Sequence, residues 1–275
     1  MGLSSNILWH QTNYANLRNI IKSRSLKCSY SLEEVDEILG QKVAFPMISM
    51  CDLPISELSE YQGKYGDYAI GLSREWGVKK KFTPIWYYEP KSRVPQLLRK
   101  LLDEAVKNDS DNILSIFGMV SFMKKMEGPL PRHNYSKYRF YDEREVRYVP
   151  SFDYLASGRI APVLSANDYN NYKAAHGGKA LIEDGLNFSW ADIRYIIVKE
   201  DKQISVMVDL LEKLGCDNKA IGIFSSKQIF EDIIGYRHNV EIKPKSQATY
   251  DEDEVKKIIE MAVRKTASLM QKIYE

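Results

Sequence analysis

Apolar positions along this chain come in short blocks whose period switches between about two and about 3.6 residues, strand-like and helix-like in turn. Ile7-Leu8-Trp9-His10-Gln11 reads as a short first strand. Tyr14, Leu17, Ile20 and Ile21 then share one helical face, with Thr12 or Asn13 placed to cap that helix. Residues 31–39 predict a second, short helix with Ser31 as its cap and Glu34 at its third position. Residues 43–50 form a nearly unbroken apolar run, as a strand buried on both faces requires, and Asp52-Leu53-Pro54 closes it. Strands are expected at 68–72 and 83–88 and helices over 94–107 and 111–126, followed by a loop over 127–139 and a strand over 143–149.

The second half repeats the alternation in shorter pieces: strand 194–198, helix 202–214, strand 220–224, helix 227–234. Past Asp251, residues Val255, Ile258, Ile259, Ala262 and Val263 lie on one side of a final helix, whose acidic start and basic middle suit the helix dipole. There is no internal repeat and no low-complexity linker. Residues 1–240 are therefore expected to form a single α+β domain, followed by a linker and helix over 241–275.

Composition narrows the class without naming it. At 44% hydrophobic and 28% charged the chain is an ordinary globular one, and a net charge of +2 makes any basic surface a local one. The first residues lack the charged-then-apolar layout of a signal peptide, and no 18 apolar residues run together. Cys28, Cys51 and Cys216 form no CxxC pair, so a cytoplasmic protein with structural cysteines is expected. The scattered His10, His133, His176 and His238 match no metal motif, and no metal is expected. G-x-G-x-x-G, P-loop and G-x-S-x-G signatures are all missing, which removes the common dinucleotide, triphosphate and serine-hydrolase sites.

Candidate chemistry concentrates at Glu143-Arg144-Glu145. Two carboxylates two residues apart in a strand face the same space, and together they suit chemistry that builds positive charge on a sugar carbon. The same spacing also reads as a solvated edge strand. Just upstream, Arg132, Tyr135, Lys137, Tyr138 and Arg139 interleave cations with rings, a pattern that meets phosphates and stacks on unpaired bases. Inward packing of Tyr138, Phe140 and Tyr141 is the alternative there.

The order of these motifs resembles the ADP-ribosyltransferase fold, a twisted split sheet with flanking helices that binds NAD. His10-Gln11-Thr12 resembles the His-x-Thr segment of the DarT-like DNA-modifying toxins, Ile48 to Asp52 falls where that family has its second strand, and Glu143-Arg144-Glu145 resembles its E-x-E element. A narrower resemblance is to the AbiGi family of bacterial abortive phage-infection proteins. It rests on His10-Gln11-Thr12, Cys51-Asp52-Leu53-Pro54-Ile55-Ser56, Tyr65-Gly66-Asp67-Tyr68 through Ser73, Glu143 through Arg147, and Trp190 through Val198. Val146 stands where a tryptophan is usual.

The resemblance implies a phage-defence protein in which Glu145 is the catalytic carboxylate of NAD cleavage and Glu143 orients the acceptor. It further implies that His10 and Thr12 hold a ribose, that Ser49 supports Glu145, and that Tyr65 or Tyr68 stacks on nicotinamide. The acceptor is then a nucleic acid, RNA or single-stranded DNA. Two other classes stay open at this point: a non-catalytic antitoxin or sensor that binds a partner protein, and an NAD hydrolase or a nuclease using Asp52 with the paired acids.

Overall fold

A computed structural model of the chain describes residues 5–61, 64–130, 134–150, 160–176, 181–232, 257, 260 and 261. Strand β1 (Ile7–Thr12) leads into α1 (Tyr14–Ser23), and Asn13 caps that helix by accepting from the Asn16 amide at 2.9 Å. There follow β2 (Ser25–Glu33), the single turn α2 (Asp36–Leu39), β3 (Val43–Cys51), β4 (Tyr68–Ser73) and α3 (Arg74–Lys79). The short strands β5 (Thr83–Pro84) and β6 (Trp86–Tyr88) precede the helices α4 (Arg93–Lys107) and α5 (Asn112–Val120). Next come β7 (Met123–Lys125), the hairpin β8 (Glu127–Leu130) and β9 (Tyr135–Arg139), and β10 (Glu145–Tyr148). The chain continues through β11 (Leu164–Ser165), α6 (Ala166–Ala175), β12 (Leu181–Asn187), β13 (Ile193–Val198), α7 (Lys202–Lys213), β14 (Gly222–Ser225) and α8 (Ser226–Asp232).

Seven strands run β12-β2-β3-β1-β4-β13-β14 across one twisted sheet, antiparallel except for the parallel pair β13–β14. The α+β class expected from the alternating blocks is what the chain adopts. β3 organises the sheet because it changes partners midway. Its residues 43–47 pair with β2, while residues 48–51 pair with β10, and Cys51 also meets Trp9 of β1.

The apolar run in β3 follows from its position between two cores. Ala44, Ile48 and Met50 enter a core shared with Leu17 and Ile21 of α1, Trp76 of α3 and Met207 of α7. Val43, Phe45 and Met47 enter a second core with Leu98 and Leu102 of α4 and Ile113 and Phe117 of α5. Successive side chains point to opposite faces, so both faces of β3 are apolar as far as Met47. Beyond it, the second face turns to Ser49 and Cys51, and there the packing gives way to a cleft.

Several expected elements differ from those observed. The helix over 31–39 starts only at Asp36. Ser25–Glu33 is a strand instead, with Leu26, Cys28 and Tyr30 turned into the core and the residues between them polar. Helix 111–126 stops at Val120, and Met123–Lys125 pairs in parallel with β6. The expected loop over 127–139 contains the β8–β9 hairpin, and strand 143–149 begins only at Glu145. β12 and α6 had no strong periodic signal. The C-terminal helix falls outside the described residues apart from Lys257, Glu260 and Met261, which are helical, and Met261 packs against the α4–α5 core. Among the described residues no helix is long and apolar enough to cross a membrane.

The link before β4 carries Tyr65 to the cleft and turns at Gly66, whose φ of +119° favours glycine. A β-carbon there would lie 2.0 Å from the carbonyl oxygen of Thr12. Gly66→Ala is expected to cost more than about 1 kcal/mol, measured by chemical denaturation.

Candidate functional site

The cleft occupies about 320 Å3 where β3 passes from β2 to β1 and β10. β1 supplies Trp9, His10 and Gln11, and β3 supplies Met47 to Cys51. From β2 come Lys27, Ser29, Ser31 and Glu33, each two residues from the next and so on one face of the strand. Tyr65, Lys124, Glu143 and Glu145 complete the wall.

The two acids reach the cleft by a route unlike the expected strand geometry. Phe140–Glu143 is a 3-10 turn, and Arg144 takes a left-handed conformation with φ 46° and ψ 49° before β10 begins. Glu143 and Glu145 therefore do not share a strand face. They converge because both bind one ammonium: Lys124 Nζ donates to Glu143 Oε2 at 3.0 Å and to Glu145 Oε2 at 2.8 Å. Tyr65 donates its hydroxyl to Glu143 Oε1. The Glu145 amide donates to the Tyr87 hydroxyl at 3.0 Å, which fixes the start of β10.

Behind Glu145 lies Arg147, with 0% of its surface exposed. Within β10 these two are at i and i+2, so they do share a face. Arg147 Nε donates to Glu145 Oε1 at 2.6 Å and Nη2 to Oε2 at 3.2 Å. Nη2 also lies 3.1 Å from Glu33 Oε2, and Nη1 donates to the Ser121 carbonyl at 2.7 Å. Three buried or nearly buried carboxylates against two cations leave the cluster a formal charge of −1.

Burial opposes ionisation of Glu145, but Arg147 and Lys124 outweigh it and hold the carboxyl well below the usual carboxylate range. Burial likewise opposes the charge on Lys124, and Glu145 and Glu143 overcome it, raising the ammonium well above its ordinary value. Cys51 is the opposite case. Burial first, and then the neighbouring Glu143 and Glu145, push its thiol up, which disfavours the thiolate that a nucleophile needs.

His10 is half-buried, and burial lowers its imidazole below the ordinary value. Its Nδ1 lies 3.2 Å from the Ser49 carbonyl oxygen, which can only accept, so Nδ1 carries the hydrogen. In the neutral ring Nε2 is then left as an acceptor. His10, Ser49, Tyr65, Glu143 and Glu145 thus line one cleft although they are up to 135 residues apart in sequence.

Other expected residues lie elsewhere. Thr12 is buried at the end of β1 and is not among the lining residues; nor does it cap α1, which Asn13 does. Tyr68 packs on Tyr14 and bonds Gln203, which leaves Tyr65 as the tyrosine at the cleft. Asp52 is held by Arg74 at 2.7 Å and by the Ser5 amide at 2.9 Å, outside the lining. Among the described residues no three His, Cys, Asp or Glu side chains are grouped to hold a metal ion.

The basic-aromatic segment divides. Tyr138 is a correction: it is 8% exposed and packs with Leu53, Leu130 and Phe140, so its ring is not open to a base. Tyr135 stays exposed on β9 with Lys64 5.4 Å from its ring centre. Lys137 pairs with Glu127 and Arg139 with Asp142, both at the surface, and Arg132 lies outside the described residues. Sequence reading missed Lys124, Arg147 and the Lys27-Ser29-Ser31-Glu33 face. The last was legible as a period-two alternation against Leu26, Cys28 and Tyr30.

Arg147→Met removes the guanidinium that buried Glu33 and Glu145 share, leaving Glu145 with Lys124 alone, and is expected to destabilise by about 3–5 kcal/mol. Glu145 has a folded pKa below its unfolded one. Its contribution is therefore full above about pH 4.3 and fades as the pH falls toward the folded value. Urea melts of wild type and Glu145→Gln should differ most near neutrality and converge in acid.

Comparison with known proteins gives a consistent family. The sequence profile described as "abortive phage resistance protein AbiGi, antitoxin" matches residues 19–199. The "Abortive phage resistance protein AbiGi" of Lactococcus lactis subsp. cremoris is 27% identical over 179 residues, 56% of this chain and 71% of that protein. No solved structure matches the chain. The matched stretch holds Glu33, Lys124, Glu143, Glu145 and Arg147, with His10 before its start. With two thirds of its length and its whole charge cluster inside that profile, the chain belongs to the AbiGi family of abortive phage resistance proteins.

Proposed function

We propose that the cleft takes NAD and that the protein acts in phage defence as an ADP-ribosyltransferase, with a nucleic acid as acceptor. The observation that carries this reading is Glu145: a desolvated carboxylate, fixed as the anion, in a cleft it shares with His10, Ser49, Tyr65 and Glu143. Cleaving the bond between nicotinamide and ribose sends the bonding pair to nicotinamide and leaves positive charge on the sugar ring. A pre-set anion in a low dielectric stabilises that charge without reorganising. Glu143 lies beside it to take the proton of the attacking acceptor group, and His10 Nε2 to accept from a ribose hydroxyl. Exposed Tyr135, with Lys137 and Arg139 on the same strand and Lys64 of the link before β4 against its ring, offers a ring and cations to a single strand. The ADP-ribosyltransferase form of the split sheet belongs to the same proposal, supported by the partner change within β3.

A second reading, a non-catalytic antitoxin that binds a partner protein, is favoured by one observation. Both oxygens of Glu145 are already engaged by Arg147 and Lys124. The AbiGi family profile is itself described as an antitoxin.

The test is incubation of the full chain with labelled NAD and separate pools of RNA, denatured DNA and protein. Label in a nucleic-acid pool, reduced about 100-fold or more by Glu143→Gln or Glu145→Gln in folded protein, is the expected result. Circular dichroism confirms that each variant has folded. Release of free ADP-ribose without a labelled pool would make water the acceptor and the protein a hydrolase. Intact NAD in every pool would overturn the enzymatic reading in favour of partner binding.

A further inference from the structure

The cleft contains more than the NAD reading uses. On β2 the side chains of Lys27, Ser29, Ser31 and Glu33 form one polar face while Leu26, Cys28 and Tyr30 fill the core behind it. In extended chain, the six steps from Lys27 to Glu33 span about 20 Å. The two ends differ in sign. Glu33 joins the buried cluster through Arg147 at 3.1 Å, and that cluster carries the formal −1. Lys27 is exposed, and among the described residues no carboxylate pairs with it. Directly across from it in β12 stands Gly185, which has no side chain to cover the lysine. A β-carbon at Gly185 would lie 2.4 Å from the Leu26 carbonyl oxygen, so the backbone there is too close for anything larger.

A strip with an uncovered cation at one end and net negative charge at the other fits a ligand of the opposite polarity. Between the ends Ser29 offers a hydroxyl that can donate to phosphate oxygens, while Ser31 donates to Glu33 Oε1 at 3.2 Å and keeps its oxygen as an acceptor for a sugar hydroxyl. We infer that the Lys27–Ser29 end of β2 is a diphosphate subsite, so that a dinucleotide lies along the strip with its phosphates at Lys27 and Ser29 and its cationic ring toward the acid cluster. The identity of the dinucleotide rests on the NAD reading; binding of a nucleoside diphosphate does not require any transfer to occur.

The experiment is calorimetric titration of the full chain with adenosine, AMP and ADP, beside steady-state NAD consumption. ADP should bind most tightly, and Lys27→Glu should weaken it about tenfold or more while Lys27→Arg keeps it. The affinity for ADP should fall with added salt in wild type and much less in Lys27→Met. In the NAD assay Lys27→Glu should raise KM and leave kcat within about twofold, because the residue binds the ground and transition states alike. ADP bound no better than adenosine, or bound equally by Lys27→Glu, overturns the subsite. NAD consumption with a KM indifferent to Lys27→Glu would sink the subsite and leave NAD cleavage in the cleft standing. Lys27-dependent ADP binding with no NAD consumed would keep the subsite and sink the transferase.

Discussion

The buried guanidinium of Arg147 is the contact on which the rest of this site depends. It fixes Glu145 in two-point geometry, ties Glu33 of β2 to β10, and anchors on the Ser121 carbonyl just after α5. Three parts of the chain that are distant in sequence are thereby held through one planar ion. A lysine here would supply one point charge in place of a fork and could not hold both oxygens of Glu145 together with Glu33 and a carbonyl. Such an ion is costly to bury and stable only when every donor has a partner. That is why the cluster keeps its carboxylates ionised and in place.

The second constraint is the double-sided packing of β3. As far as Met47 its two faces feed two separate hydrophobic cores, and the strand cannot slip by one residue without exchanging them. Past Met47 one face gives up packing for Ser49 and Cys51, at the point where the pairing partner changes from β2 to β10. Core and cleft are thus consecutive segments of one strand. The register that the apolar residues enforce also aims the polar ones, and His10 is set by its contact with the Ser49 carbonyl in the same stretch.

Much of this was legible in the amino-acid order. The apolar run of β3 and the amphipathic α1 and α4 are local patterns, and each appears in the fold where its period places it; the acids at 143 and 145 do meet in one cleft, but not by the shared strand face that their spacing suggested. The shared cleft of His10, Ser49, Tyr65, Glu143 and Glu145 could be expected only from motif order. What stayed hidden is mostly non-local. Lys124 and Arg147 read as ordinary cations until folding surrounds them with carboxylates. The left-handed turn at Arg144 is a backbone choice that a non-glycine residue does not advertise, and it ends the strand reading of Glu143. β2 was hidden by its own serines, which resemble turn and cap residues until the alternation with Leu26, Cys28 and Tyr30 is counted. Tyr138 misled in the reverse sense, because a ring flanked by cations looks solvent-facing whichever way the strand turns it.

Cys51 gives the cluster a built-in chemical reporter. Its half-buried thiol lies beside Glu143 and Glu145, and desolvation first, then their negative charge, push its ionisation up. Alkylating reagents attack the thiolate, so the residue is silent as long as the acids stay together around Lys124. Any event that opens the cleft to water and draws those carboxylates away lifts both the desolvation and the repulsion that oppose ionisation. The rate at which Cys51 takes up such a label then becomes a clock for how often the site comes apart.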